Sequence, residues 1–262
     1  MQTTTAENRT GEQACLVGTK AMEEAVQQLS PPSIIDTALA DQLRETCAIE
    51  ADPLGSIPAP RDARGLPKQG QEKRKGNDPE TFVDKMGERI AFERGGVRLY
   101  DALMVKYLAM VEKGILLPNA AECLQSMKEE SAGIDADETA LSTMQRIRSE
   151  ELAHFQMLCE AAKEMGADPS AQTPCADATA VAAFGLAQVV SDARTTLAQA
   201  LNAMLTAELT DNAGWELLIQ LAEQSGKKEL AERFRLALGE EAEHLRIIRA
   251  WHCALVTMAD GV

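Results

Sequence analysis

Four segments of this 262-residue chain repeat apolar residues at spacings of three, four or seven, which is the pattern of long amphipathic helices. In the middle of each apolar stripe, where a core residue belongs, stands an acidic residue: Glu93, Glu151, Glu208 or Glu241. An ionised carboxylate is almost never fully buried alone, because removing an unpaired charge from water costs several kcal/mol or more. The chain must therefore fold into helices whose core compensates a cluster of charge.

Two of these acids belong to the same short motif, E-E-x-x-H. It occurs as Glu150-Glu151-Leu152-Ala153-His154 and as Glu240-Glu241-Ala242-Glu243-His244, in a chain that has only three histidines. Residues three apart share one face of a helix, so each motif directs a carboxylate and an imidazole toward the core. Four carboxylates carry a charge of about −4, which two divalent ions would neutralise, and the pattern therefore favours a dinuclear metal site. The candidate ligands are Glu93, Glu151, His154, Glu208, Glu241 and His244.

The order of these ligands resembles that of the ferritin-like dimetal-carboxylate superfamily, which includes rubrerythrins, bacterioferritins and di-iron oxygenases. The resemblance covers about residues 80–258 and implies an all-α fold, a ferritin-like four-helix bundle with a crossover segment. It also implies that Glu151 and Glu241 bridge two metal ions, that Glu93 and Glu208 are terminal ligands, and that each ion has one histidine. The long spacing between Glu93 and Glu151 requires an inserted segment in this bundle.

The helix boundaries follow from capping residues and from glycine and proline. The first long helix is expected to begin at Asp78-Pro79-Glu80, and the second is expected to be capped by Asp135 or Asp137. The remaining expectations are these: ends near Gly114 and Gly166, a short helix at about 119–130, a crossover piece at about 177–190, a third long helix from Ser191-Asp192 to Gln224, and a fourth over about 227–258.

Residues 1–78 differ in composition from the rest of the chain. They contain several prolines and a basic patch from Lys68 to Lys75, and they have few sustained apolar repeats. Short amphipathic helices are expected near 20–29 and 34–48, followed by a linker. We therefore expect an N-terminal extension, partly flexible, over 1–78 and the helical bundle domain over 79–262.

Composition excludes several other classes of protein. A net charge of −15 disfavours binding to nucleic acid or to an anionic membrane, and 3% aromatic residues argue against an all-β fold. No run of 18 apolar residues and no secretory signal is apparent, which predicts neither a membrane span nor export, and hence a cytoplasmic location. The six cysteines include no C-x-x-C pair, so we expect reduced thiols rather than disulfides, a zinc ribbon or a rubredoxin-type iron site.

Residues beside the ligands leave alternatives open. Glu150 and Glu240 could accept a hydrogen bond from the histidine of the opposite motif, or they could face solvent. Asp211 and Asn212 follow Glu208 by three and four positions, and either a hydrogen bond near the site or simple exposure would suit them. A core of salt bridges without metal is the alternative for the whole cluster, and the absence of Arg or Lys at the four stripe centres disfavours it.

The aromatic residues near the ligands have two interpretations. Tyr100, Trp215 and Trp251 each stand seven positions after a candidate ligand, where they could transfer electrons, although core packing is favoured. His252 is expected to be a surface or core histidine rather than a ligand.

By the resemblance, the expected cofactor is two iron ions, with manganese possible because carboxylate and imidazole suit both metals. The expected function is a reaction of Fe(II) with O2 or peroxide as a ferroxidase, peroxidase or oxygenase-type oxidoreductase. A third alternative is a substrate hydroxylase, which requires an apolar pocket beside the metals. Without a C-x-x-C iron site the chain would need an external electron donor. The alternative function is a non-catalytic iron-binding or stress-related helical bundle. We also expect a homo-oligomer that forms through helix faces outside the core.

Overall fold

The computed structural model describes residues 15–29, 36–55, 57, 79–129, 131 and 133–259, and within these residues every regular element is an α-helix. In chain order the helices are α1 (Leu16–Leu29), α2 (Ala38–Glu50), α3 (Pro79–Val111), α4 (Ala120–Ser126), α5 (Ala140–Glu164), α6 (Pro174–Ser191), α7 (Leu197–Gln224) and α8 (Lys228–Ala259). The chain divides into two compact units, Met1–Pro53 and Leu54–Val262. The prediction of an all-α fold is confirmed.

The first unit contains α1 and α2, close to the two short helices that the sequence predicts. Neither helix has a buried residue. Apolar side chains such as Leu29 and Leu39 are exposed in both. The basic patch from Lys68 to Lys75 lies outside the described residues.

In the second unit, α3 packs against α5, α6 and α7, while α8 packs along α7 and also touches α4 and α5. The buried apolar residues form two clusters, one around Tyr100, Met204 and Trp251 and the other around Met86 and Trp215. In α5, α7 and α8 the acid predicted at mid-stripe falls between the members of these two clusters, and in α3 Glu93 directly follows Phe92, near the point where one cluster gives way to the other. The sequence pattern therefore places a polar layer between two apolar ones.

Two predicted helix starts are wrong. α5 begins after Thr139, whose hydroxyl accepts a hydrogen bond from the amide of Ser142, whereas Asp135 accepts one from the Asp137 amide within the preceding turn. α7 begins after Thr196, which forms a reciprocal capping box with Gln199. In both places threonine and aspartate are good N-caps, and the sequence pattern chose the wrong one of two nearby candidates.

The crossover piece is α6, slightly longer than predicted. Among the described residues it is the one helix that is long and apolar enough to cross a membrane by length and composition, although one such helix is weak evidence for a span. It packs on α3 and α7, and its outer side exposes Val181 and Phe184. The expectation that the chain has no membrane span therefore stays a prediction.

Candidate metal centre

The fold brings all six predicted ligands together at the polar layer between the two apolar clusters. None of the six is more than 3% exposed. Ligand atoms of Glu151, Glu208, Glu241 and His244 lie within 4.8 Å of one another, and so do those of Glu93, His154 and Glu241. The two groups share Glu241, so their geometry suits two ion positions side by side.

A glycine in α3 makes room for one of these carboxylates. Gly96 faces Glu151, and a Cβ atom at this position would clash with the Glu151 carboxylate. The helical pattern of the sequence does not point to Gly96, which lies three residues after Glu93. Its absence of a side chain lets α3 approach α5 closely enough for Glu93 and Glu151 to share one site.

The two histidines are oriented by a reciprocal pair of hydrogen bonds between α5 and α8. Nε2 of His154 lies 2.7 Å from Oε2 of Glu240, and Nε2 of His244 lies 2.8 Å from Oε2 of Glu150. The hydrogen-bonding role of Glu150 and Glu240 is therefore confirmed, even though Glu240 is also half-exposed. An Nε2–H that donates outward leaves Nδ1 to face the carboxylates, and Nδ1 of His154 is 2.6 Å from Oε1 of Glu241.

Several ligand atoms in the site have no hydrogen-bond partner. Buried polar atoms normally have one, and an unsatisfied one costs about 1–3 kcal/mol. The unsatisfied oxygens are both of Glu93 and one each of Glu151, Glu208 and Glu241, and Nδ1 of His154 joins them because its close approach to Glu241 lacks hydrogen-bond alignment. Oxygen and nitrogen atoms that converge in a buried space without hydrogen-bond partners fit a pair of divalent cations.

Close packing of these charged groups without cations shifts the pKa values of several of them. Burial raises the pKa of Glu208 to about 8 and, together with the charge of Glu241, raises the pKa of Glu151 well above its ordinary value. Burial opposes protonation of His154, yet Glu241 and Glu93 raise its pKa to about 11. Burial also works to raise the pKa of Glu241, but the two histidines outweigh it and lower that pKa to about 2. Protons therefore occupy part of the space that cations would fill.

Comparison with known proteins does not assign this site to a family. No protein-family model, curated protein or solved structure matches the chain. What stands without a family is an all-helical protein with a buried cluster of acidic and histidine side chains able to hold metal ions.

The aromatic residues are buried as the packing interpretation predicts. Nε1 of Trp251 donates a hydrogen bond to the backbone carbonyl of Pro118, which is not a candidate ligand. The ring of Trp215 packs edge-on against His154, with 5.5 Å between the ring centroids. Tyr100 does more than pack, because its hydroxyl donates to Oε1 of Glu208 at 2.5 Å. Burial and the Glu208 charge raise the pKa of Tyr100 well above its ordinary value, so this proton stays on the phenol.

His252 and the cysteines also stand as predicted. His252 is partly exposed and belongs to neither group of ligand atoms. All six cysteines are free thiols, of which Cys15 and Cys47 are exposed. Of the two alternatives left open for Asn212, the hydrogen bond near Glu208 is the one observed. Its amide donates to the backbone carbonyls of Glu208 and Glu241 and so ties α7 to α8.

The sequence pattern missed a buried cation. Arg89 lies one helical turn before Glu93, is 2% exposed, and forms an ion pair with Asp211, which is equally buried. No Arg or Lys occupies a stripe centre, but Arg89, one turn away on α3, is buried all the same. The spacings of four from Glu93 and three from Glu208 put both residues on inward faces, and Gly214 is a further signal, because a Cβ there would clash with the Arg89 guanidinium.

Proposed function

We propose that this chain is a ferritin-like dimetal-carboxylate protein that holds two metal ions within one subunit. The observation that carries the proposal is the pair of ligand groups that share Glu241 and contain buried oxygens without hydrogen-bond partners. The proposed ligands are Glu93, Glu151, His154, Glu208, Glu241 and His244.

The grouping of the ligand atoms supports a specific division of the six residues. Glu208 and His244 would hold one ion, and Glu93 and His154 would hold the other. Glu241 belongs to both groups. Glu151 belongs to the first of them and also to a third group, in which it lies within 4.8 Å of Glu93, Asp211 and Glu241. This supports Glu151 and Glu241 as the bridging carboxylates.

Iron is the proposed metal, with manganese possible, because carboxylate and imidazole ligands suit both. Bound iron would supply one-electron redox chemistry with O2 or H2O2, as in a ferroxidase, peroxidase or oxygenase-type oxidoreductase that takes electrons from an external donor. The chain's own residues exclude water through the two apolar clusters, orient the imidazoles through Glu150 and Glu240, and keep a proton at the Tyr100 hydroxyl beside Glu208.

The near-complete burial of the ligands also supports a second function. Because the six proposed ligands are at most 3% exposed, a metal held by them would be accessible only to reactants as small as O2. The same burial is compatible with a metal centre that only stabilises the helices. In this alternative the protein is a non-catalytic iron-binding or stress-related bundle. Consumption of O2 or H2O2 by the loaded protein with a reductant present supports the first function. Metal that raises the melting temperature without such consumption supports the second.

Metal stoichiometry tests the proposal directly. Anaerobic Fe(II) loading followed by elemental analysis is expected to give two ions per chain. Glu151→Ala and His244→Ala should each lose stoichiometric dinuclear binding, whereas His252→Ala, a matched histidine control outside the site, should keep both ions. Two ions per chain in either ligand variant, or none above trace in the natural chain, would overturn the assignment.

The remaining expectations about the environment stay proposals. We propose a homo-oligomer in the cytoplasm that binds neither nucleic acid nor membranes, and the net charge of −15 supports the last two points.

A further inference from the structure

Arg89 and Asp211 form a buried ion pair beside the candidate metal centre. The guanidinium pairs with the Asp211 carboxylate, donates to the Asp211 carbonyl at 3.0 Å, and lies 4.3 Å above the ring of Phe92. Both charged residues are 2% exposed. Gly214 provides the space in which the guanidinium lies. Four separate features of the chain therefore hold one arginine in one place.

Asp211 is chemically able to bind a metal ion. Its carboxylate lies within 4.8 Å of ligand atoms of Glu93, Glu151 and Glu241. It is thus a fifth acid in the site, and five carboxylates carry a charge of about −5. The guanidinium returns this charge to about −4, which is the charge that two divalent ions balance.

The direction in which Arg89 turns is informative. Arg89 stands four residues before Glu93 on α3, and an acid and a base at this spacing usually pair along the helix. Here Arg89 reaches across to α7 instead, and both oxygens of Glu93 remain without a hydrogen bond. Arg89 therefore binds Asp211, which is not one of the six proposed ligands, and leaves Glu93, which is one of them, available for a metal ion.

We propose that Arg89 is a positioning residue that holds Asp211 out of the metal coordination and keeps Glu93 available as a ligand. This inference rests on the proposed dinuclear site. A buried ion pair contributes little to stability compared with apolar residues of similar volume, so its presence beside a metal site suits a role other than stability.

Two single variants should change metal affinity in opposite directions. In Asp211→Asn, Arg89 loses its charged partner and is drawn to Glu93, so binding at the ion position formed by Glu93 and His154 should weaken by about 10- to 100-fold. In Arg89→Met, Asp211 is released as an additional charged ligand, so binding at this position should tighten. The double variant Arg89→Met with Asp211→Asn removes both charges and should bind close to the natural affinity.

The experiment is an anaerobic Co(II) titration of the full chain and the three variants, followed by calorimetry and visible absorption. An extra carboxylate raises the coordination number of Co(II), so Arg89→Met should also show weaker d–d bands, while the double variant should not. Thermal melting of each metal-free variant reports whether it folds. If Arg89→Met does not fold, Asp211→Asn alone decides, because a purely structural pair predicts a lower melting temperature with unchanged Co(II) affinity.

The outcomes separate this inference from the proposed function. Opposite changes in the single variants, cancelled in the double variant, support the positioning role. Two ions in the natural chain with both single variants weakened equally, or unchanged, would overturn the positioning role and leave the dinuclear site intact. A natural chain that binds no Co(II) stoichiometrically would overturn both.

Discussion

The two E-E-x-x-H motifs are alike in sequence, but the two halves of the site that they build are not. In the His244 half, which contains Glu208 and His244, Tyr100 donates to Glu208 and Glu150 accepts from His244. Glu150 is itself held by Arg146 at 3.0 Å. Each ligand of this half thus has an outer partner, and one of these partners is braced in turn.

The His154 half, which contains Glu93 and His154, is supported differently. Neither oxygen of Glu93 has a hydrogen bond, and the outer partner of His154 is Glu240, whose side chain is 51% exposed against 24% for Glu150. Asp211, which pairs with Arg89, also lies within 4.8 Å of Glu93. The comparison teaches that a repeated motif sets which ligands are present, whereas the unrepeated residues around it set how firmly each is held. We therefore expect the His244 half to bind its ion more tightly.

The largest expected effect comes from the residue that joins the halves. Glu241→Gln should lose both ions, because Glu241 belongs to both groups of ligand atoms. Glu93→Gln should lose only the ion of the His154 half and leave one ion per chain. Elemental analysis after Fe(II) loading distinguishes a chain without iron from a chain with one iron ion. Equal numbers of ions lost in the two variants would contradict a site with two separable halves.

A smaller effect should separate the two outer carboxylates. Loss of a carboxylate that orients a ligating histidine typically lowers metal affinity by about 10- to 100-fold. Glu150→Gln should lose affinity near the upper end of this range, because the charge of Glu150 is well fixed. Burial works to raise the pKa of Glu150, but His244 and Arg146 outweigh it and lower that pKa. Glu240→Gln should lose affinity near the lower end of this range, because water screens this exposed carboxylate.

Calorimetric titration with a redox-inactive divalent ion measures both affinities. The control is Glu216→Gln, a change of the same chemistry on the exposed side of α7. A larger loss for Glu240→Gln than for Glu150→Gln would reverse the ranking of the two halves.

The clustering of the six candidate ligands could be predicted from sequence because each one breaks a local helical pattern. Glu151 and His154 are three residues apart on one helix, so their common face follows from helix geometry alone. The helix starts at Thr139 and Thr196 could not be predicted, because neighbouring aspartates are equally good caps and only the tertiary path of the chain decides between them.

Arg89 shows where such reasoning ends. Its partner Asp211 lies 122 positions away, and a local pattern does not show whether a polar residue at the edge of a stripe turns inward. The signals that accompany the pair, Gly214 and the free oxygens of Glu93, acquire a meaning only once α3 and α7 lie side by side.

The metal-free and metal-loaded forms of the protein should differ in how their stability depends on pH. The raised pKa of Glu208, about 8, contributes stability that is full below its unfolded value near 4.5 and is lost as pH rises through 8. The raised pKa of His154, about 11, likewise contributes stability that is lost as pH rises above about 6.5. The lowered pKa of Glu241, about 2, matters only when pH falls below about 4.5 and so adds no slope above it.

The metal-free chain should therefore melt at a temperature that falls by on the order of a few degrees or more between pH 5.5 and 8. Metal ions compete with the same protons, so the loaded protein should keep or gain stability over this range, and the gap between the two forms should widen with pH. Melting curves by circular dichroism at several pH values measure both forms. Glu208→Gln removes one of the groups responsible, so it should flatten the metal-free slope. A gap that narrows as pH rises would contradict a site in which cations take the place of protons.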